Sequence, residues 1–382
     1  MVVFVAAAPS LRSQVERCLV KAGFDEVHCA ESTAEAIHWL QIDDLFGSQA
    51  ADIVLLDEQL PGAPCLDLCR RIKATDRFLD TPIIIMGAGM NPDGLAAFFE
   101  VGAEDYAPVA KLDADLPFRV RTSLLRAERT QLRRAGLRKR AEELALARRL
   151  QRSVLAPPIT SPSLAVEAAF IPSDGLSGDM YYWCQIDEDR YGILLIDVMG
   201  HGLAASLVSM ALRSLMHGLI TRVTDPAEVM RELNGHMILF QPNYLTALYV
   251  VIDTRRQTME WANAGHPPGL LHEGPGPVGM LERTSVPLGL TADLKVEKRT
   301  RSYSQPARLL LYTDGLAEDP GQSVKVGIEH LKSCLQLYQK QDNGAFIAVT
   351  LLERRKILAA PDDICLIAVT LPVTEPFDFS SL

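Results

Sequence analysis

Aspartates end or begin apolar, β-type runs at four places in the C-terminal half. Asp179 opens DMYYWCQID, Asp197 closes YGILLID, Asp314 follows ARLLLYT, and Asp362-Asp363 precede ICLIAVTL. Asp179 and Asp197 bound a single segment; if it is a hairpin turning at about Glu188 and Asp189, Asp179 lies opposite Asp197 or Val198. Like charges facing one another destabilise a sheet, so such a pair makes sense when a cation or a proton relieves the repulsion. Small residues beside the acids, in Ser177-Gly178-Asp179, Gly200-His201-Gly202 and Asp314-Gly315, leave room for an ion and a ligand to approach the backbone. Hard divalent cations prefer carboxylate, carbonyl and water oxygens, and a two-metal oxygen site suits hydrolysis of a phosphate ester. Asp-Gly is also common turn punctuation, so spacing alone leaves the turn and metal readings both open.

These acids need a scaffold that brings strand ends together. From about 159 to 371 the pattern is strand-rich, with GLAASLVSMALRSLMHGLI and DPAEVMRELNGHMILF as helical insertions, which predicts an α+β layered domain. Ahead of it, residues 1 to about 122 alternate short β-branched runs (VVFVAA, EVHCA, DIVLLD, PIIIMGA, DYAPV) with helical patterns. That rhythm predicts a five-stranded parallel α/β sheet of flavodoxin-like type, with Pro9, Gly23 and Pro92 as helix start and stop signals. Between the two, residues 123–156 contain Leu125, Leu132, Leu137 and Leu144 at roughly heptad spacing and a strong excess of arginine, so a long connecting helix is expected. Its basic face reads as a solvated coiled-coil face; its functional version is a homodimer, and nucleic-acid binding is not expected. Ala156-Pro157-Pro158 breaks this helix. The expected organisation is therefore 1–122, a linker at 123–156, a second domain at 157–372, and a short polar tail at 373–382.

Composition sets outer bounds. The chain has 382 residues, 48% apolar and 23% charged, with a net charge of −10. This is the balance of a globular protein and argues against one that coats nucleic acid throughout. Seven scattered cysteines without a CxxC pair read as thiols in a reducing compartment, and a zinc site is not expected. The start MVVFVAAAPS lacks a basic leader, and no apolar run is taken as a membrane span; a cytoplasmic protein is expected.

The residues also carry a resemblance. SGDMYYW, LLIDVMGHGLAASL, LNGHM, YLTALYVVID, WANAGHPPGLL, VPLGL, LLLYTDGLAE and DDICLIAV occur in the order and spacing of the bacterial metal-dependent protein phosphatases, the PPM family branch of sporulation factor II E and the stress-response phosphatase regulators. The resemblance covers about residues 150 to 371. It implies a β-sandwich flanked by helices, two Mn²⁺ or Mg²⁺ ions, and hydrolysis of phosphoserine or phosphothreonine in a protein by attack of a metal-bound water. Carried over by position, Asp197 is the bridging ligand with the Val198 carbonyl beside it, Asp179 shares one metal, and Asp314 and Asp362 hold the other. Asp363 ranks below Asp362. His201 and His266 read either as general acids or as structural histidines. Family members often carry an acid shortly after the Gly-Asp pair, where this chain has Met180-Tyr181-Tyr182. The substrate that the resemblance suggests is a phosphorylated anti-sigma-factor antagonist in a partner-switching pathway. A reading of another class is a non-catalytic adaptor for such a partner; the complete acid set favours the enzyme.

The N-terminal region resembles a response-regulator receiver domain of two-component signalling, with DIVLLDEQLPG placing Asp57 at the end of the third strand as the phosphoacceptor. The rest of that site is missing. Ala6, Ala7 and Ala8 stand where the family has Mg²⁺-binding acids, Gly87 where it has Ser or Thr, and Val109 where it has Lys, with Lys111 nearby. Without those acids no Mg²⁺ is held for phosphoryl transfer. The expectation is a pseudo-receiver that regulates the phosphatase by protein contact.

Overall fold

A computed structural model describes residues 2–372 apart from residues 8, 43, 45–50, 61–63, 90, 174, 275, 319–322, 339–340 and 356–361. The tail expected at 373–382 lies outside the described residues. The chain divides into two compact units, Met1–Glu142 and Glu143–Leu382, with the division inside one long helix.

The first unit alternates β1 (Val2–Ala6), α1 (Pro9–Lys21), β2 (Glu26–Ala30), α2 (Thr33–Leu40), β3 (Ile53–Asp57), α3 (Cys65–Ala74), β4 (Ile83–Gly87), α4 (Pro92–Glu100) and β5 (Asp105–Pro108). All strand pairs are parallel, in the order β2-β1-β3-β4-β5. β3 is buried along its whole length, because a parallel sheet carries helices on both faces. Alternate residues feed two cores. Val54 and Leu56 pack with Leu40, Leu68, Ile72 and Phe98, while Ile53 and Leu55 pack with Leu11, Val15, Leu19, Leu116 and Val120.

The helix expected over 123–156 is α5 (Leu112–Ser153), and it starts eleven residues earlier, at 112 where 123 was expected. Leu112, Leu116 and Val120 recur at helical spacing and bury against the parallel sheet, so the last helix of that unit runs on into the linker without a break. Beyond it Leu125, Leu132, Leu137, Leu146 and Leu150 are all more than half exposed.

The second unit contains β6 (Ile159–Thr160), β7 (Ala165–Ile171), β8 (Asp179–Gln185), β9 (Arg190–Val198), α6 (Leu203–Ile220), α7 (Pro226–Met237), β10 (Leu245–Asp253), β11 (Thr258–Ala264), β12 (Gly269–Glu273), β13 (Gly279–Leu281), β14 (Arg299–Ser302), β15 (Ala307–Tyr312), α8 (Asp314–Ala317), α9 (Val324–Leu337), α10 (Asn343–Arg355) and β16 (Ile364–Leu371). Two antiparallel sheets form, β14-β11-β10-β9-β8 and β13-β12-β15-β16-β7-β6. Their inner faces share one core in which Leu195 and Leu248 meet Leu309, Ile367 and Val369. α6 and α7 cover the first sheet, and α9 and α10 the second, giving a helix-flanked sandwich. α6 is, among the described residues, the helix long and apolar enough to cross a membrane, with a mean hydropathy of 1.5. Here its Ala205, Val208, Leu212, Met216, Leu219 and Ile220 are buried, with the helix packed on β8 and β9 of the first sheet.

Candidate active site

The β8–β9 hairpin has the register that places Asp179 directly opposite Asp197. Both acids sit at the sheet end where β8 begins and β9 finishes. The second sheet delivers its acids to the same end of the sandwich. β15 pairs antiparallel with β16, so Asp314, just past the end of β15, comes beside Asp362, just before β16. Gly315 is what permits this approach, since a Cβ there would collide with the backbone of Asp363.

Thr313 ties the two sheets together. Its hydroxyl donates to Asp179 Oδ2 at 2.7 Å and accepts the Cys365 N–H at 2.9 Å. Asp363 anchors the loop ahead of Asp179: Oδ1 accepts the Ser173 N–H and hydroxyl at 2.7 and 2.8 Å, and Oδ2 accepts the Gly178 N–H at 2.9 Å. Both of its oxygens are thus engaged, whereas its neighbour Asp362 is exposed. Gly178 lies against two carbonyls of the β9 exit loop. A Cβ there would stand 2.8 Å from the Val198 oxygen and 3.0 Å from that of Gly200.

The electrostatics are those of a carboxylate cluster. Asp179, only 2% exposed, is raised well above the ordinary carboxylate range by burial and by the charge of Asp197, although the Thr313 hydrogen bond opposes the shift. Burial, then Asp314, Asp362, Asp363 and Glu318, push Asp197 up to about 7. Burial, then Asp362 and Glu318, push Asp314 up to about 6. Acids held this close would each lower their energy by facing a cation. Among the described residues no three His, Cys, Asp or Glu side chains gather closely enough to enclose an ion by themselves. Hard cations such as Mg²⁺ are commonly held by one or two carboxylates together with carbonyl and water oxygens. Asp179, Asp197 with the Val198 carbonyl, Asp314 and Asp362 form a donor set that fits such ions.

The two histidines differ. His266 is buried, its Nδ1 paired with the Thr246 hydroxyl at 2.6 Å and its Nε2 with the Tyr312 carbonyl at 3.1 Å, and burial pushes it down to about 3. It is a neutral structural bridge between the sheets. His201 is exposed in the loop between Gly200 and Gly202, both at positive φ.

Sequence reasoning missed Thr313, Glu318 and the anchoring bonds of Asp363. The first two lie inside YTDGLAE, one residue before and four after Asp314, so their proximity was available from the motif; the bonds of Asp363 had no signal in the sequence.

In the first unit Asp57 ends β3, buried, with Oδ1 accepting the Gln59 N–H at 2.9 Å. Ala6 ends β1 and Ala7 is buried; Ala8, Pro61 and Gly62 lie outside the described residues. The Glu58 carboxylate occupies the space that a Cβ at Gly87 would need, and accepts the Ala88 N–H at 3.0 Å. Lys111 is exposed in the short 3₁₀ turn Val109–Lys111.

Comparison with known proteins adds the following. Residues 2–111 match the response regulator receiver domain family, and residues 187–372 match the stage II sporulation protein E family. The phosphoserine phosphatase RsbP of Bacillus subtilis is 38% identical over 233 residues, covering 54% of this chain and 57% of that protein. The phosphoserine phosphatase RsbU of the same organism is 23% identical over 180 residues, covering 46% and 53%. The chain thus spans about half the length of the curated relatives it matches. Among solved structures, the PP2C domain of SiaA from Pseudomonas aeruginosa superposes with a TM-score of 0.54 at 21% identity, over 63% of this chain and 99% of that one. The RsbU and RsbW domains of a Mycobacterium tuberculosis protein give 0.51 at 22% identity, over 57% and 64%. At these identities the likeness is one of fold.

Proposed function

From a chain that carries a response regulator receiver domain followed by a stage II sporulation protein E phosphatase domain of the PP2C type, we propose a metal-dependent protein serine/threonine phosphatase of bacterial signalling. The observation that carries this reading is the convergence of Asp179 and Asp197 from one sheet with Asp314 and Asp362 from the other, with Thr313 bridging them. Two Mn²⁺ or Mg²⁺ ions, when bound, supply the positive charge that offsets the phosphoryl oxygens and activates water for in-line attack on phosphorus. The chain's own residues do the rest. Asp197 and the Val198 carbonyl stand central, Asp179 is held in one orientation by Thr313, and Asp314 and Asp362 face them. Asp363 fixes the Gly178 peptide from behind. His201, exposed at the rim, is the imidazole able to meet a leaving oxygen, since His266 is committed to Thr246 and Tyr312.

The substrate we propose is a phosphorylated anti-sigma-factor antagonist, a reading supported by similarity to RsbP and RsbU. The exposed leucines of α5 support a homodimer through the linker, and the first unit, lacking receiver chemistry, acts by protein contact. Seven scattered cysteines without a CxxC pair accord with a cytoplasmic location.

The test is release of phosphate from p-nitrophenyl phosphate, and from a serine-phosphorylated antagonist, by the full chain with Mn²⁺ or Mg²⁺. Activity that requires metal and disappears in Asp197→Ala and Asp314→Ala supports the enzyme. A folded chain that is inactive with either metal, yet retains the antagonist, would move the assignment to the adaptor.

A further inference from the structure

The last turns of α5 reach into the metal-site loop through one side chain. Gln151 is 1% exposed, although most of the helix around it is open to solvent. Its amide makes a two-point clamp on a single residue: Nε2 donates to the Ser177 carbonyl at 2.7 Å, and Oε1 accepts the Ser177 N–H at 3.1 Å. Ser177 in turn accepts the Asp179 N–H on its hydroxyl at 3.0 Å, and the next peptide N–H, that of Gly178, is held by Asp363 at 2.9 Å. The segment entering Asp179 is therefore gripped from the helix side by Gln151 and from the β16 side by Asp363.

Resting on the phosphatase reading above, we propose that Gln151 is a positioning residue for the metal site: through Ser177 it sets the backbone from which Asp179 is presented, and so makes the site depend on the folded end of α5. A glutamine is suited to this task because its planar amide offers one donor and one acceptor to the same backbone residue. Among the described residues, the other hydrogen bond at the Ser177 carbonyl comes from the Ser209 hydroxyl, at 3.4 Å and already bonded to Ser206. Unwinding α5 by a single turn withdraws Gln151 and leaves Ser177 with a buried, underbonded backbone.

The experiment is calorimetric titration of the full, metal-stripped chain with Mn²⁺ alone, alongside thermal unfolding and Mn²⁺-dependent kinetics on p-nitrophenyl phosphate. Gln151→Leu keeps the volume and loses both bonds; Gln151→Asn stays polar but is one methylene too short to make both, and serves if the first variant does not fold. Arg149→Ala, exposed in the same turn, is the control. Expected is Mn²⁺ affinity weakened about tenfold or more in either Gln151 variant, as for other residues that orient metal ligands. At saturating Mn²⁺, kcat should return to within about twofold and KM should be unchanged. Unaltered Mn²⁺ affinity, even with a lower unfolding temperature, overturns the proposal. Failure of the unsubstituted chain to bind Mn²⁺ at all overturns the phosphatase reading and this proposal with it.

Discussion

Asp179 and Asp197 face one another across the β8–β9 hairpin, so two carboxylates occupy directly paired positions at the end of one sheet. Neither strand geometry nor folding stability benefits from that arrangement in the absence of a cation. The cost is measurable.

Asp197→Asn is expected to stabilise the metal-free chain while abolishing Mn²⁺ binding. Burial and the neighbouring acids push Asp197 up to about 7 in the folded state, above the unfolded value near 4. For an acid raised on folding, the penalty is absent below the unfolded value, grows as pH rises between the two, and is complete above the folded one. Allowing for partial exposure and sharing with Asp179, the gain should be on the order of 2 kcal/mol at pH 8 and vanish near pH 4. Urea unfolding in EDTA at both pH values checks this, and a variant less stable than the parent at pH 8 refutes it.

Thr313→Val removes the donor to Asp179 and strands the Cys365 N–H inside the sandwich. A loss of about 1–3 kcal/mol in stability is expected, together with weaker metal binding. Thr313→Ser, which keeps the hydroxyl, should restore most of both in the same denaturation and titration assays.

Gly178→Ala should be tolerated by the backbone dihedrals, since Gly178 is not at positive φ, but not by its neighbours. The added methyl would press on the Val198 and Gly200 carbonyls, and activity should fall at least about tenfold through misplacement of the ligand loop. A steady-state assay over a Mn²⁺ series decides the matter, and unchanged activity would mean the loop yields freely.

His266→Gln should cost about 1 kcal/mol at neutral pH, with the deficit shrinking under acid. His266 is pushed down to about 3 on folding, so the unfolded chain binds a proton that the folded chain refuses, and its stabilisation is lost as pH falls below about 6.5. Comparing the two proteins' unfolding free energies from pH 7 to 4.5 isolates this group. A gap that stays constant or widens would contradict the assignment.

Acetyl phosphate with Mg²⁺ is expected to leave the chain unlabelled. Glu58 lays a carboxylate over Gly87 and takes the Ala88 N–H, adding negative charge beside Asp57 where an incoming phosphoryl group would need room and donors. Labelling that disappears in Asp57→Ala would restore a working receiver.

Read alone, the sequence was most informative where chemistry is carried by strand ends. β8 and β9 are joined by a short turn, so counting outward from Glu188 and Asp189 placed Asp179 within one residue of its partner. Period-two and helical patterns likewise gave the parallel sheet and the layered second unit, because burial on one or both faces leaves a local imprint. The linker start was not legible. Leu112, Leu116 and Val120 belong to the receiver-side core, yet nothing in the sequence separates them from the helix that follows.

Contacts between elements distant in sequence were decided by tertiary structure alone. Successive strand residues point to opposite faces, so the division of labour between Asp362 and Asp363 depends on which face the site occupies, and only the packing of β16 against the Ser173 and Gly178 backbone fixes it. Thr313 reaches Asp179 across 134 positions of chain, and Gln151 reaches Ser177 from another element. The sequence by itself set out which acids lie at strand ends and which receiver acids are missing. The fold decided which polar side chains hold those ligands in place, because such bonds arise from the three-dimensional closeness of backbone groups that have no periodicity to betray them.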